Sequence, residues 1–324
     1  TIAGPVTVIL MAAAMAFPLK TEAQRSGERR APRPPVIGLE KGTKEFETAD
    51  FRLGVLNATQ TVAFLKTNDA EAFDFTPGDR LEERASNRFY HLGDINIGLR
   101  SGNGEWEYYS TARNRKDVEV IASSGQQTLL AADLAATLPD SVPLRVVRYW
   151  EKEGTSLVLR FALTNKSDAP VEIGALGIPM VFNNNSNGKS LDQAHAQSVF
   201  FDPYIGADAG YLQVVRLHGE GKALVAVPFG KTPFEAWRPL TDDPLPSGYT
   251  YEGLHEWMIH TKSYAENEWK DAEQWNNPTS KILAPGETVS YGVKFLLSGS
   301  VRDIENTLAS AGRPVAVGIP GYVV

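Results

Sequence analysis

The sequence predicts an all-β protein, built as a large antiparallel β-supersandwich. Runs of β-branched and aromatic residues recur along most of the chain, turn-forming residues separate them, and several runs alternate apolar and polar residues with a period of two. The 324 residues, 42% of them hydrophobic, are enough to bury a large core. Repeats of about 20 to 50 residues are not evident, which argues against a propeller or a solenoid. We therefore expect one sandwich domain over residues 44–299.

The first predicted strands form two hairpins. FRLGVL and TVAFLK flank the turn-forming NATQ at residues 57–60, and DINIGLR runs through the glycine-rich SGNGE at residues 101–105 into WEYYSTA. Residues 144–178 hold three further β-rich runs. In the second of them, SLVLRFALTN, apolar residues at alternate positions fall on one face while Arg160 and Thr164 point to the other. This pattern indicates a half-buried antiparallel strand.

Later segments continue the same pattern and then change to a helix. A hairpin is predicted across residues 219–221, and a strand after the turn at Pro285-Gly286. A helix is predicted over residues 300–311. Its start at Ser300 resembles a capping box, its apolar residues recur at helical spacing, and Gly312 ends it. We expect residues 300–324 to be this helix and a linker.

The N-terminal residues predict export. VTVILMAAAMAFP, at residues 6–18, is an apolar run of signal-peptide length and too short to cross a bilayer as a helix. The alternative is a buried first strand or helix, but the polar, Pro-rich QRSGERRAPRPP follows as a tether. We expect a signal peptide over residues 1–23, truncated at its start, and a disordered tether over residues 24–43. The protein is then periplasmic or secreted, with no membrane contact after cleavage.

Composition and motifs exclude several classes of function. The net charge of −7 and the pI near 5.4 leave no basic surface for a phosphate backbone, so nucleic acid is not an expected partner. The chain contains no cysteine, which excludes disulfides and a lipidated cysteine anchor. It also lacks a P-loop, a dinucleotide-binding fingerprint and a G-x-S-x-G elbow. We expect no cofactor.

The densest chemical stretch is EGLHEWMIHTKSYAENEWKDAEQWN, at residues 252–276. His255 and His260 are five residues apart, whereas zincins place two histidines four apart on one helical face. On a strand the two imidazoles would point to opposite faces. We therefore expect separate histidines and no metal.

The same stretch has the composition of a carbohydrate-binding surface. A sugar-binding site needs flat aromatic rings on which the sugar can stack and polar groups that form hydrogen bonds with its hydroxyls. The segment lacks clean alternation, so we expect an ordered excursion from the sheets, although each tryptophan could instead pack in the core. The candidate substrate-binding residues are Tyr251, Glu252, His255, Glu256, Trp257, Trp269 and Trp275.

Glycoside hydrolysis would require two carboxylates that flank the scissile bond. Sequence does not give their separation in space, and each of them could equally be a solvated surface acid. NNNSNGKS, at residues 183–190, is predicted to be a loop because it has no carboxylate and no EF-hand spacing. The candidate carboxylates are Glu252, Glu256, Asp202, Asp208, Asp242 and Asp243.

Several long runs carry a resemblance to a known group of proteins. These runs are FDFTPGDRLEERASNRFYHLGDINIGLR, DPYIGADAGYLQVVRLHGEGKALVAVPFGKTPFEAW, YEGLHEWMIHTKSYAENEWKDAEQWNNPTS, LAPGETVSYGVKFLL and GRPVAVGIPGYVV. They resemble microbial six-hairpin glycosidase-like proteins that carry a domain-of-unknown-function label. The resemblance spans residues 44–324 and implies a galactose-mutarotase-like sandwich that precedes an (α/α)6 barrel, which would follow the present chain.

The resemblance implies the sandwich part of an exported carbohydrate-active enzyme, a glycoside hydrolase. Its partners would be an oligo- or polysaccharide and its own C-terminal (α/α)6 domain, with the sandwich bracing the catalytic barrel. The alternatives are a non-catalytic carbohydrate-binding module and a purely structural sandwich. Mutarotase-like activity would need a His and a Glu on one face, and His255 and Glu256 point apart on a strand.

Overall fold

The computed structural model describes residues 34–122, 125–244 and 253–315. The strands in these ranges form three antiparallel β-sheets. The helices there are α1 (Leu191–Gln197), α2 (Lys262–Glu266) and α3 (Ile304–Ser310). The strands are β1 (Thr43–Glu47), β2 (Phe51–Leu56), β3 (Val62–Thr67), β4 (Asn96–Ser101), β5 (Glu107–Ser110), β6 (Glu119–Val120), β7 (Thr128–Asp133), β8 (Leu144–Glu153), β9 (Ser156–Asn165), β10 (Val171–Met180), β11 (Val199–Tyr204), β12 (Tyr211–Arg216), β13 (Ala223–Phe229), β14 (Ala236–Pro239), β15 (His255–His260), β16 (Lys281–Leu283) and β17 (Thr288–Ser298).

Two large sheets form the sandwich, and a small third sheet contributes residues to the same core. The eight-stranded sheet has the order β11-β12-β13-β17-β9-β8-β7-β6. The six-stranded sheet has the order β14-β15-β10-β4-β5, with β16 also paired to β10. The third sheet is β1-β2-β3. The predicted all-β fold class is confirmed, as are the predicted hairpins β2-β3, β4-β5 and β12-β13.

The core lies between the inner faces of these sheets. Leu159 and Phe161 of β9 are completely buried, as the period-two alternation predicts, whereas Arg160 between them is only partly buried. From the six-stranded sheet, Ile178 and Trp257 enter the same hydrophobic cluster. Each large apolar side chain buried here contributes roughly 1.5–3 kcal/mol, so the core supplies most of the driving force for folding.

Strand β10 is the structural centre of the six-stranded sheet. Every one of its residues is buried. It pairs with β4 on one edge, and on the other edge its first half pairs with β16 and its second half with β15. This position explains its nearly continuous apolar sequence, VEIGALGIPM, because both of its edges are paired and both of its faces are covered.

The prediction of an ordered excursion from the sheets over residues 252–276 is wrong for residues 255–260. Residues 255–260 form β15, which lies inside the six-stranded sheet between β14 and β10. Trp257 and Ile259 point into the core, so the strand alternates normally along HEWMI. The pairing of β15 with β10 is irregular near Ile259, so the alternation does not continue to His260. This interruption hides the strand pattern in the sequence. The excursion begins afterwards, with α2.

Helix α3 confirms the predicted C-terminal helix but not its cap. Ile304 and Leu308 pack on Val225 and Leu296, on the outer face of the eight-stranded sheet. The Ser300 side chain makes no capping hydrogen bond, because a short 3-10 turn at Val301–Asp303 separates it from the helix.

Two helices were not predicted. Helix α1 begins at a capping box between Ser190 and Gln193, a signal that the sequence SLDQ contains. Helix α2 begins at Thr261 without a side-chain cap and has no comparable signal. The predicted loop at residues 183–190 contains neither helix nor strand, as expected.

The predicted disordered tether over residues 24–43 does not hold for residues 34–43. Ile37 is completely buried, and its carbonyl accepts a hydrogen bond from the Thr59 hydroxyl at 2.8 Å. The predicted signal peptide and the first part of the predicted tether, within residues 1–33, lie outside the described residues, as does the end of the predicted linker, residues 316–324. Within the described ranges, no helix is long and apolar enough to cross a membrane.

Candidate functional site

A cavity of about 480 Å³ opens on the outer face of the six-stranded sheet. Its floor consists of residues that alternate along the strands with core residues, such as Asn96 beside Ile97 and Glu256 beside Trp257. Its walls come from β5, α2 and the segment around Asp242. The volume falls in the range of about 300–1,000 Å³ that is typical of small-molecule sites.

Two glycines of β10 make room for this cavity. At Gly177 a Cβ atom would overlap the Glu256 carboxylate, and at Gly174 it would overlap the Trp106 ring. Both side chains can therefore lie directly against the backbone of the sheet. The glycines, which look like weak points in a strand sequence, are what allows an acid and an indole to lie on this face.

The floor of the cavity holds a buried carboxylate, Glu256. Its Oε2 accepts a hydrogen bond from Asn96 Nδ2 at 2.6 Å, and its Oε1 accepts one from Arg238 Nη1 at 3.0 Å. Burial raises the pKa of Glu256 above its ordinary value, although Arg238 and Asn96 favour the charged form. The acid is thus fully desolvated, held in one orientation and opposite a cation.

Arg238 links the floor to one wall. It lies on β14 directly across from Glu256, and its other guanidinium nitrogen is 3.6 Å from Glu268. The guanidinium also lies 4.4 Å from the centroid of the Tyr264 ring. Burial opposes its charge, but Tyr264 and Glu256 raise the pKa of Arg238 overall. The arginine is therefore fixed between an aromatic ring and two acids.

Aromatic rings form the wall on the β5 and α2 side. The Tyr108 and Tyr264 ring centroids are 5.4 Å apart, and Trp269 stacks on Tyr264 from behind at 5.0 Å. Tyr264 is nearly buried by these contacts, whereas Tyr108 remains 36% exposed. Tyr108 therefore presents the most open aromatic surface to a ligand in the cavity.

An ion-pair network holds this aromatic wall in place. Glu172 of β10 accepts hydrogen bonds from Lys262 of α2 at 2.7 Å and from Arg100 of β4 at 2.7 Å. Arg100 also pairs with Glu266 of α2 at 2.9 Å and lies over the Trp106 ring at 4.1 Å. The network fastens the short helix α2, which carries Tyr264, to the face of the sheet.

The opposite wall contains a second acid, Asp242. It accepts a hydrogen bond from the Tyr90 hydroxyl at 2.9 Å, and Arg113 lies 3.8 Å away. Burial, followed by the charge of Asp242, raises the pKa of Tyr90 and keeps the phenol protonated. The structure thus brings together Asp242 and Glu256, two of the carboxylates that the sequence suggested.

The predicted binding residues divide between the cavity and other places. Glu256 lines the cavity, and Trp269 supports its wall from behind. His255 points to the opposite face, where it stacks on Trp237 at 5.3 Å. Trp275 is 85% exposed and does not line the cavity. Tyr251 and Glu252 lie outside the described residues, so their part in binding stays a prediction.

Trp257 requires a correction, because its ring is not available to a sugar. It is completely buried, stacked on Phe234 with centroids 3.9 Å apart, and its Nε1 donates to the Pro233 carbonyl at 2.8 Å. The alternative considered from the sequence, that a tryptophan here packs in the core, is therefore correct for this residue.

The other candidate carboxylates that the structure describes lie away from the cavity. Asp243 pairs with the buried Arg84 at 3.0 Å and accepts from the Tyr90 amide at 3.1 Å. Asp202 lies in β11 of the eight-stranded sheet, and Asp208 in the turn that precedes β12. Neither of them lines the cavity.

Several residues of the cavity escaped the sequence reasoning, among them Asn96, Trp106, Tyr108 and Arg238. The first three lie within the β4-β5 hairpin, whose sequence was used only as a strand signal. Trp106, Tyr108 and Ser110 occur at alternate positions and all line the cavity, and this period-two spacing was the available signal. For Arg238 the sequence held no signal, since its role depends on the pairing of β14 with β15.

None of the five histidines lines the cavity. His260 instead bonds the hydroxyls of Thr279 at 2.7 Å and Tyr291 at 2.8 Å. Among the described residues, no group of three or more His, Asp and Glu side chains is placed to hold a metal ion. The cavity thus offers carboxylates, guanidinium groups, an amide and phenols around an exposed aromatic ring, which suits a ligand with many hydroxyl groups.

The fold is similar to that of several solved structures. A polysaccharide lyase matches with a TM-score of 0.57 at 13% identity over 81% of this chain, which spans about a third (34%) of the lyase. A galactose mutarotase related enzyme from Lactobacillus acidophilus matches with a TM-score of 0.44 at 9% identity, over 81% of this chain and 99% of that one. An alpha-galactosidase from Lactobacillus brevis matches with a TM-score of 0.44 at 7% identity, over 85% of this chain and 42% of that one.

No curated protein matches the chain. A family model does match, over residues 54–324, and it describes a family of unknown function, DUF5695. The matched region includes the six-stranded sheet and all the described residues of the cavity. The chain belongs to this family, DUF5695.

Proposed function

We propose that the cavity on the six-stranded sheet binds a saccharide, and that the chain is the sandwich module of a carbohydrate-active protein. The observation that carries the proposal is the position of the exposed Tyr108 ring at the same cavity as the buried Glu256 and Arg238. A pyranose presents apolar C–H faces and a rim of hydroxyls, and such a site meets both at once.

The polar groups suit hydroxyls because they are already oriented. Asn96 and Arg238 fix Glu256, so a sugar hydroxyl that donates to this carboxylate meets an acceptor that pays little entropy on binding. The Asn96 Oδ1 atom is buried and has no hydrogen-bond partner, so it can accept a further hydroxyl. Tyr90 and Asp242 add a second polar pair across the cavity.

We further propose that this module belongs to an exported glycoside hydrolase in which it braces an (α/α)6 catalytic domain. The apolar run at residues 6–18 and the resemblance to six-hairpin glycosidase-like proteins support this reading. The likeness in fold to one part of a polysaccharide lyase is consistent with a module of a larger carbohydrate-active enzyme. Location in the periplasm or outside the cell follows from the proposed signal peptide.

Calorimetric titration of the purified chain with neutral and acidic oligosaccharides tests the binding proposal. Tyr108→Ala should weaken the binding of a saccharide at least tenfold, because stacking on an aromatic ring is lost. Trp275→Ala is the matched control, since it removes an exposed aromatic ring that does not line the cavity. A chain that binds no member of the panel would be a purely structural sandwich. Binding that depends on Trp275 and not on Tyr108 would place the saccharide elsewhere.

Export requires a separate test, because the binding experiment does not depend on it. The complete reading frame should be expressed in a bacterial host with and without residues 1–23, and its location followed by fractionation. We expect the intact form outside the cytoplasm and the shortened form inside it. If both forms stay in the cytoplasm, export is refuted and the binding proposal is unaffected.

A further inference from the structure

We infer that the cavity selects uncharged saccharides and rejects those that carry carboxylates or sulfates. This inference rests on the proposed function and adds the chemical class of the ligand. Carboxylates outnumber cations among the described residues that line the cavity, and no lysine is among them. The charged lining residues are Glu105, Asp242, Glu256, Glu268, Arg113 and Arg238.

The excess of negative charge does not depend on the ionisation of the buried acid. With all four acids ionised, four carboxylates face two guanidinium groups. If Glu256 is protonated, which its burial favours, three carboxylates still face the two guanidinium groups. A ligand carboxylate therefore enters a field of its own sign in either state.

Both guanidinium groups already have carboxylate partners within the cavity. Arg238 already pairs with Glu256 at 3.0 Å and with Glu268 at 3.6 Å. Arg113 lies 3.8 Å from Asp242 and donates to the Tyr108 carbonyl at 3.4 Å. An acidic sugar would therefore share one of these arginines with an acid that the arginine already neutralises, so the ligand charge is compensated only in part.

Glu105 adds a carboxylate that no cation balances. It is exposed at the cavity, just before Trp106, and makes no ion pair with any described residue. Because the Debye length is about 8–10 Å in physiological salt, its charge is felt across a cavity of this size. Neutral sugars avoid this repulsion, and their hydroxyls can donate hydrogen bonds to the same carboxylates.

The test uses matched ligands that differ only at C6, where a neutral hydroxymethyl group is replaced by a carboxylate. Oligosaccharides of glucose, mannose and galactose are titrated into the full chain, each in its native form and after oxidation of its C6 hydroxyls to carboxylates. We expect the oxidised form of the bound sugar to bind at least tenfold more weakly at low salt. The gap should narrow in about 1 M salt, where the Debye length falls to about 3 Å.

A variant locates the origin of this selectivity. Glu105→Gln should reduce the ratio of the affinities for the native and the oxidised oligosaccharide about threefold, because one repelling charge is removed. Glu45→Gln removes the same charge from β1, which does not line the cavity, and should leave the gap as it is. An equal narrowing in both variants would assign the effect to net charge and overturn the inference.

The remaining outcomes separate this inference from the proposed function. If an oxidised oligosaccharide binds as tightly as its native form, the cavity is not selective for uncharged sugars, and the inference fails while saccharide binding stands. If neither form of any sugar binds, the proposed function and the inference fail together. Tighter binding of the native form that is lost in Tyr108→Ala supports both.

Discussion

The network around Glu172 makes a quantitative prediction about the stability of the cavity wall. Burial alone would raise the pKa of this carboxyl, but hydrogen bonds from Lys262, Ser280 and Arg100 outweigh burial and lower it from 4.5 to about 2. The difference corresponds to about 3 kcal/mol of stability when the group is ionised in both states. Glu172→Gln, which resembles the protonated acid, should therefore lower the free energy of unfolding by about 3 kcal/mol at pH 7.

The pH dependence of this cost has a defined sign. A carboxyl whose folded pKa is depressed stabilises the protein above the unfolded pKa, near 4.5, and loses that contribution as the pH falls through the folded value, about 2. The difference between the wild-type chain and Glu172→Gln should thus persist at pH 5 and shrink to about half by pH 3.

Urea unfolding followed by tryptophan fluorescence at pH 7, 5 and 3 measures this difference. Glu45→Gln in β1 is the control, since it removes an exposed carboxylate with no ion pair among the described residues and should change stability by less than about 0.5 kcal/mol. A cost for Glu172→Gln that is the same at pH 7 and pH 3 would refute the reasoning. So would a cost at pH 7 as small as that of the control.

Three further predictions concern buried groups. Arg238→Met leaves the buried Glu256 without its cation and should cost about 3 kcal/mol in urea unfolding, most of which Glu256→Gln in the same chain should restore; additive costs would contradict the pairing. Burial lowers the pKa of His260 to about 4, so the unfolded state binds its proton first as the pH falls below about 6.5. Stability should then drop by up to about 3 kcal/mol between pH 6.5 and 4, and a smaller drop in His260→Gln would confirm the source. Trp257→Ala should cost about 3–5 kcal/mol in the same assay, and a cost below about 1 kcal/mol would contradict its place in the core.

Much of the fold could be predicted because the sandwich follows a local rule. In β9 the alternation of apolar and polar residues reports directly which face is buried. Turn residues such as those at 219–221 mark the ends of hairpins, because strands that pair with their neighbours in sequence need only a tight connection. The same logic failed for β15, whose neighbours β14 and β10 are distant or irregular partners and leave no mark in its sequence.

The site could be predicted only in part, because it depends on contacts between distant segments. Glu256 was suggested by its acidic and aromatic surroundings, yet its partners Asn96 and Arg238 come from strands that pair through the sheet. Trp257 and Trp269 are similar in composition and neighbourhood, but strand alternation places the first in the core. The second lies after α2, a helix that the sequence did not announce. Composition identified the right region, and sheet register decided the role of each residue.

The fit of Glu256 against Gly177 gives a simple criterion for comparing related proteins. An acid at position 256 requires a glycine at position 177. Any larger residue at position 177 would displace the carboxylate or push the two strands apart. When other DUF5695 sequences are aligned, those that have both residues should contain the same recess and form one functional group. Those that have a side chain in place of the glycine should have a closed surface there, and any ligand they bind must dock elsewhere.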